Sequence, residues 1–183
     1  MTSFSPAFMT RILGSLLLVA ALAAGRLSAA DALESAKGRP TLFLIGDSTV
    51  KNGTAGNGAG GLWGWGHPIA DHFDPAKIKV ENRALGGRSS RSFFAEGLWE
   101  KVLADMQSGD FVIIQFGHND GGNPLTDTKA RGSIKGTGEE TQEATLPSGR
   151  KETVHSFGWY LRRYITDTKA KGATPIVCSL KQK

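Results

Sequence analysis

A short turn carrying hydroxyl groups follows the first apolar run of the chain and has the residue types of a nucleophilic site. The run TLFLIG, residues 41–46, ends abruptly at Asp47, Ser48 and Thr49. A serine hydroxyl on a tight turn can attack a carbonyl when a base removes its proton and nearby donors stabilise the oxyanion. Ser48 is therefore a candidate nucleophile, and Asp47 is expected to hold the turn by accepting backbone N–H bonds.

Two further apolar runs end in residues that would complete such a site. Gly86 and Gly87 follow the second run, and His118 and Asn119 follow the third. A glycine N–H can approach an oxyanion closely, and the side-chain amide of Asn119 is a second donor. These residues supply donors for an oxyanion but no base for Ser48.

The elements that must bring these turns together are predicted as alternating strands and helices. Continuous apolar, β-branched runs indicate strands buried on both faces, over residues 41–46, 77–85, 110–117 and 174–180. Helices are predicted over 67–73, 92–106 and 153–172, and a polar loop over 119–152. This order predicts an α/β protein with a doubly wound parallel sheet, in which ligands bind beyond the carboxyl ends of the strands.

The N-terminal residues 1–30 are typical of a signal peptide. Arg11 precedes the apolar run 12–25, and the small residues Ser28 and Ala30 suit a signal peptidase. The apolar run is short for a bilayer span, so secretion or periplasmic export is expected, with an uncleaved anchor as the alternative. After cleavage we expect no stable membrane span and one domain over 31–183.

The net charge of the chain and the spacing of its possible metal ligands limit which molecules it is expected to bind. The formal net charge is +5, and removal of residues 1–30 takes away two arginines and no acids, which leaves 20 basic against 17 acidic residues, or +3. This charge is too small to indicate nucleic-acid binding but is compatible with an anionic polymer. The chain has 1 cysteine and no spacing typical of metal ligands, so no metal or other cofactor is expected. The G-x-G-x-x-G match at 56–61 begins too far beyond its strand to form a pyrophosphate site.

Three segments carry a resemblance to a known family. FLIGDSTV, NRALGGRSSRSF and IIQFGHND resemble, in order and spacing, the first three sequence blocks of the SGNH hydrolases, the GDSL-type esterases. The segments at 64–66 and 152–165 are similar to the branch containing rhamnogalacturonan acetylesterases. The resemblance covers residues 40–181 and implies a three-layer α/β/α, flavodoxin-like fold. It further implies that Ser48 is the nucleophile and that the N–H groups of Ser48 and Gly87, with the Asn119 amide, form the oxyanion hole.

The sequence departs from that family at its last block, Asp-x-x-His, whose histidine activates the serine. No Asp-x-x-His occurs in this sequence. We therefore expect a domain that is incomplete at its C-terminal end and weakly active or inactive as a hydrolase. His67 and His72 are alternative bases. Glu152 and His155 have the spacing of the missing Asp-x-x-His block, so His155 is a further candidate base. The favoured interpretation is that His155 lines the pocket.

The function implied by the resemblance is removal of acetyl groups from plant cell-wall polysaccharide, such as rhamnogalacturonan, through an acetyl-Ser48 intermediate. The candidate substrate-binding residues are Asp47, Arg88, Trp65, His118 and His155. Arg91, like Arg88, could bind a galacturonate carboxylate or be a solvated residue at a helix start. Trp63 and Trp65 could stack on a sugar or fill space beneath their loop. A non-catalytic carbohydrate-binding protein and an inactive fragment are the competing hypotheses.

Overall fold

A computed structural model describes residues 38–53, 63–146 and 148–179. The predicted signal peptide at 1–30 and the glycine-rich match at 56–61 lie outside the described residues. Within the described ranges, no helix combines the length and apolar character needed to cross a membrane.

A sheet of 4 strands, all paired in parallel, positions the candidate site. The strands are β1 (Thr41–Gly46), β2 (Lys79–Asn82), β3 (Phe111–Gln115) and β6 (Thr174–Val177), in the spatial order β2-β1-β3-β6. This is the strand order of a doubly wound, flavodoxin-like sheet, in which the order reverses between β1 and β3. The predicted α/β class is confirmed, and the turns after β1 and β3 lie at the reversal point.

Alternation along the central strands gives the sheet two apolar faces. Phe43 and Ile45 pack with β3 residues against three helices: α1 (Ser90–Ala95), α2 (Leu98–Asp105) and α3 (Phe157–Ala170). Leu42 and Leu44 point to the opposite face, where the segment containing a 3-10 helix (Ile69–His72) covers them. Helical layers on both faces make the fold a three-layer α/β/α architecture.

The predicted helices are shorter than the sequence pattern suggested. The helix expected over 92–106 is two helices, because Gly97 has a left-handed backbone with a φ of 71° between α1 and α2. Glycine adopts this conformation without the steric cost that other residues have. The helix expected over 67–73 is only the 3-10 helix, and the strand expected over 77–85 is limited to β2.

The polar segment 119–152 is not entirely a loop, which corrects the prediction. Strands β4 (Thr141–Thr145) and β5 (Lys151–His155) form an antiparallel pair, and α3 begins at Phe157 after the capping residue Ser156. Only Ala144 and Val154 are buried among the residues of these two strands. The pair therefore shows little of the apolar alternation by which strands are predicted.

Strand β6 is less buried than expected from its apolar sequence. Ile176 and Val177 are 41% and 43% exposed. Within the described part of the sheet, β6 pairs with β3 alone, so a smaller part of its surface is covered than in the central strands.

Candidate active site

The turn that carries Ser48 begins where β1 ends. The backbone N–H groups of Val50 and Lys51 donate to the Asp47 carbonyl, with N···O distances of 3.2 and 3.0 Å. Asp47 is completely buried, whereas Ser48 is exposed. The turn therefore presents the Ser48 hydroxyl to solvent at the carboxyl end of a central strand.

A chain of side-chain hydrogen bonds fixes this turn. Trp65 Nε1 donates to Gln115 Oε1 at 2.8 Å, and Gln115 Nε2 donates to Thr49 Oγ1 at 3.0 Å. Thr49 then donates to Asp47 Oδ1 through both its hydroxyl and its backbone N–H, each at 2.8 Å. An indole only donates and a carboxylate only accepts, so the direction of every bond in the chain is determined.

The buried position of Asp47 corrects its inclusion among the substrate-binding residues. Its Oδ1 accepts the two bonds from Thr49, and its Oδ2 is buried without a hydrogen-bond partner. With no exposed surface, Asp47 cannot contact a polysaccharide outside the protein. Its observed role is the other one expected from the sequence, which is to hold the turn.

The Gly-Trp-Gly segment packs directly on the turn. Gly64 N–H donates to the Lys51 carbonyl at 2.8 Å, and Trp65 N–H donates to the Thr49 carbonyl at 2.9 Å. A side chain at Gly64 would overlap the Thr49 carbonyl, so this close approach requires glycine. Trp65 packs against the apolar cluster beneath, whereas Trp63 is 48% exposed.

The second turn lies beside Ser48. Leu85 N–H donates to the Gly46 carbonyl at 3.1 Å, which places the turn at the end of β1. A Cβ atom at Gly86 would lie 3.8 Å from the Ser48 Cβ, and Gly87 follows with a φ of 77°. Gly86 therefore lies beside Ser48, and Gly87 is the next residue along the chain.

The third turn, which follows β3, is bound to the second turn through Asn119. Asn119 Nδ2 donates to the Arg88 carbonyl at 2.9 Å, so the segment Gly86–Arg88, which lies beside Ser48, also contacts Asn119. The Arg88 guanidinium pairs with Glu96 at 2.8 Å and donates to the Gly86 carbonyl at 3.2 Å. Arg88 thus supports the turn, and its side chain remains partly exposed.

Asp120 anchors the backbone that carries Asn119. Its buried carboxylate accepts bonds from Ser90 N–H, at 3.1 Å, and from the hydroxyl groups of Ser90 and Ser133. Burial raises the pKa of Asp120, and the bonds from Ser90 and Ser133 oppose that rise. The carboxyl end of β3 is in this way tied to the start of α1.

The structure corrects both sequence hypotheses for Arg91, that it binds substrate and that it is a solvated residue at a helix start. Arg91 is completely buried, and its Nε atom lies 3.0 Å from Glu152 Oε1. Its Nη1 atom donates to the carbonyls of Pro124, at 2.9 Å, and Gly132, at 2.7 Å. Arg91 therefore holds the polar segment on α1 and is inaccessible to a polymer.

The described histidines do not supply a base that contacts Ser48. His67 Nδ1 accepts a bond from Gly53 N–H at 3.1 Å, whereas His72 and His118 are exposed. The Ser48 hydroxyl has no hydrogen-bond partner among the described residues. The described part of the chain thus holds the candidate nucleophile and candidate amide donors without a base in contact with Ser48.

His155 is held against an aromatic ring. It stacks on Trp159, with 3.7 Å between ring centroids and 10° between planes. Burial lowers the pKa of His155, although the charge of Glu139 opposes this. Glu152, which completed the Asp-x-x-His-like spacing, is bound to Arg91.

Three residues of the site were missed by the sequence analysis. Gln115 is a polar residue in a buried apolar run, and that contrast was a usable signal. The Lys51 side chain lies beside Gly86, because a Cβ atom added at Gly86 would be 3.3 Å from Lys51 Cδ. Arg131 forms a hydrogen bond with Asn119. Nothing in the sequence pattern singles out either of these two.

Fold and site together define a class of α/β/α protein in which a Gly-Asp-Ser turn follows the first strand of a parallel sheet. The family described as GDSL-like lipase/acylhydrolase matches residues 42–182, and the chain belongs to this family.

Similar proteins place the chain near one branch of the family. It is 38% identical over 139 residues to a rhamnogalacturonan acetylesterase from Emericella nidulans, and the matched region covers 76% of this chain and 51% of that protein. It is 31% identical over 136 residues to a probable rhamnogalacturonan acetylesterase, YesY, from Bacillus subtilis, which covers 74% of this chain and 51% of YesY. The chain thus spans about half the length of these relatives.

A solved structure supports the architecture. The crystal structure of the Bacillus subtilis protein YxiM matches with a TM-score of 0.54 and 28% identity, over 76% of this chain and 32% of YxiM.

Proposed function

We propose that the chain carries the nucleophile and oxyanion donors of a carbohydrate esterase that removes acetyl groups from an acidic cell-wall polysaccharide such as rhamnogalacturonan. The observation that carries the proposal is the position of Ser48. It is exposed at the end of β1, and one short segment, Gly86–Arg88, lies beside Ser48 and contacts Asn119.

The proposed reaction uses these residues in two steps. Ser48 Oγ attacks the acetyl carbonyl as a base accepts its proton, and the oxyanion is stabilised by the N–H groups of Ser48 and Gly87 and by the Asn119 amide. Collapse breaks the bond between the acetyl carbon and the sugar oxygen, which takes up the proton held by the base and leaves as a hydroxyl, so that acetyl-Ser48 remains. Water then hydrolyses this ester and releases acetate.

Two lysines support an acidic substrate. Lys51 lies beside the Ser48 turn, and Lys135 lines a depression with Gly117 and Gly121, which flank the Asn119 turn. Neither lysine pairs with a carboxylate among the described residues. Both ammonium groups are therefore available for carboxylates of galacturonate-type sugars. In this proposal the two lysines bind the carboxylates of the polymer, the role that the sequence analysis considered for Arg91.

The proposal includes export from the cell. It rests on the residues 1–30, whose charged start, apolar run and small residues are typical of a signal peptide. An acetylesterase with a polymeric substrate must act where that polymer is, outside the cytoplasm.

The test measures Ser48-dependent release of acetate, with free imidazole supplied as a replacement base. Loss of the base alone from a serine hydrolase costs about 10⁶-fold in kcat, so slow turnover is expected without imidazole. We expect imidazole to accelerate acetate release from acetylated rhamnogalacturonan and from p-nitrophenyl acetate. The Ser48→Ala variant measures the hydrolysis due to imidazole itself. Equal rates for the two proteins would contradict the proposal.

A second candidate is a non-catalytic carbohydrate-binding protein, which is favoured by the exposed indole of Trp63, a ring that could stack on a sugar. In that case the chain binds acetylated pectic polymer, and Ser48→Ala changes neither binding nor acetate release. A pull-down on the same polymer, run beside the acetate assay, separates the two functions.

A further inference from the structure

The side-chain amide of Asn119 is held at both of its ends. Its Oδ1 atom accepts a bond from Arg131 Nη1 at 3.1 Å, and its Nδ2 atom donates to the Arg88 carbonyl at 2.9 Å. A guanidinium only donates and a carbonyl only accepts, so both contacts require the same orientation of the amide. A flipped amide would place donor against donor and acceptor against acceptor. The second N–H of Nδ2 is not used by either contact.

Arg131 is itself positioned by a carboxylate in its own turn. Asp127 accepts bonds from the backbone N–H groups of Lys129 and Arg131, each at 3.0 Å, and of Gly132 at 3.2 Å. The Arg131 Nε atom lies 3.6 Å from Asp127 Oδ2. Burial acts to raise the pKa of Asp127, but these N–H bonds and the Arg131 charge lower it overall.

The other side of the same turn is attached to the core. The Gly132 carbonyl accepts a bond from the buried Arg91 at 2.7 Å. Gly132 also packs so closely on Gly122 that a side chain would overlap the Gly122 carbonyl. The backbone before and after the Arg131 side chain is therefore fixed, and Arg131 reaches Asn119 from a rigid support.

We propose that Arg131 is a positioning residue for oxyanion stabilisation: it fixes the Asn119 amide in the orientation that leaves one Nδ2–H free for the substrate oxyanion. The inference rests on the proposed function, in which Asn119 is an oxyanion donor. Preorganised donors stabilise a transition state because they need no reorientation during the reaction. Arg131 contributes by removing the alternative orientation of the amide.

The first test observes the amide directly and needs no turnover. The two side-chain N–H signals of Asn119 are assigned by NMR from their loss in Asn119→Ala. In Arg131→Met we expect these signals to shift toward those of a freely rotating amide, with faster exchange with water. Arg150→Met is the matched control, because Arg150 is exposed and contacts Glu152 instead. Unchanged Asn119 signals in folded Arg131→Met would overturn the proposal.

A second variant guards against loss of folding. Arg131→Lys keeps a positive charge beside Asp127 but lacks the planar fork that reaches the carboxylate and the amide together. If Arg131→Met does not fold, the same shift of the Asn119 signals is expected in Arg131→Lys. Asn119 signals identical to wild type in that variant would overturn the proposal.

The kinetic test is a double-variant cycle on p-nitrophenyl acetate in the presence of imidazole. Removing an oxyanion donor costs about 10²–10³-fold in kcat. Arg131→Met keeps the Asn119 donor and removes only its fixed orientation, so we expect a smaller loss in kcat, about 10- to 100-fold, with KM little changed. In an Asn119→Ala background the same substitution should have no further effect. An equal loss in both backgrounds would overturn the proposal. If the wild type shows no Ser48-dependent turnover, the proposed function fails, whereas the NMR result still decides whether Arg131 orients Asn119.

Discussion

The indole of Trp65 donates a hydrogen bond to the side-chain carbonyl of Gln115, with 2.8 Å between Nε1 and Oε1. The two residues come from the Gly-Trp-Gly segment and from the end of β3. Their bond starts the chain that passes through Thr49 to Asp47 and fixes the residues on either side of Ser48. The shape of the Ser48 turn therefore depends on a residue from each of two neighbouring segments.

Thr49→Val should destabilise the protein by breaking this chain at its centre. Valine has the shape of threonine but leaves Gln115 Nε2 without its acceptor and removes one donor to Asp47. An unsatisfied buried polar group costs about 1–3 kcal/mol, and because Gln115 is only half-buried we expect a loss at the lower end of this range in urea unfolding. Thr49→Ser keeps the hydroxyl and is the control. Equal stability of the two variants would show that the chain does not stabilise the turn.

Arg91→Met should be among the most destabilising substitutions in α1. It removes the buried partner of Glu152 and leaves the Gly132 and Pro124 carbonyls without their donor. Breaking a buried ion pair by removing one partner costs about 3–5 kcal/mol.

Arg150→Met provides the control for the Arg91 substitution. Arg150 lies 3.8 Å from the same Glu152 carboxylate, but its side chain is 58% exposed. A loss below about 1 kcal/mol is expected for an exposed pair. Similar chemical denaturation midpoints for the two variants would contradict the assignment of Arg91 as the main attachment.

Lys51→Gln and Lys135→Gln should each weaken the use of an acidic polymer. An exposed ion pair contributes at most about 1 kcal/mol, so KM for acetylated rhamnogalacturonan should rise about two- to fivefold. The effect should shrink as salt is added. With p-nitrophenyl acetate, which has no carboxylate, kcat and KM should stay at wild-type values. Lys171→Gln, at the exposed end of α3, is the control. A parallel loss on both substrates would argue against carboxylate binding.

The free energy of unfolding should fall as the pH decreases through the ordinary pKa of histidine. Burial lowers the pKa of His155 from 6.5, so below that pH the unfolded chain binds a proton that the folded chain does not bind. Stability is then lost from about pH 6.5 downward, until the pH reaches the lowered pKa of folded His155.

His155→Phe keeps a ring to stack on Trp159 but cannot titrate. We expect the pH dependence of unfolding to be weaker in this variant over the same window, as measured by urea denaturation at a series of pH values. An identical slope for wild type and variant would show that His155 does not contribute to it.

Sequence patterns were sufficient for the parts of the fold that depend on burial. The strands β1 and β3 contain continuous apolar runs, over residues 42–45 and 111–114, and that is why their type and parallel arrangement were predicted. The β4–β5 pair was missed because most of its residues are polar and only Ala144 and Val154 are buried. The break at Gly97 was missed because an isolated glycine in a helical pattern is often tolerated.

The candidate site shows the same division. Ser48, Gly87 and Asn119 could be proposed because each follows directly after a predicted strand. The burial of Arg91 and the reach of Arg131 to Asn119 depend on how a polar segment folds back over α1. No periodicity in that segment encodes these contacts, so two arginines of similar sequence appearance have roles that only the packing reveals.

The attachment of the polar segment to Arg91 has a consequence for how the protein opens. Arg91 belongs to α1 and holds the segment at Pro124, Gly132 and Glu152. Detaching the segment while α1 stays folded would leave a charged group without partners in the interior, which is strongly unfavourable. The segment therefore belongs to the same cooperative unit as the helical layer. Although it lies on the surface, it is not a flap that can open independently of the sheet.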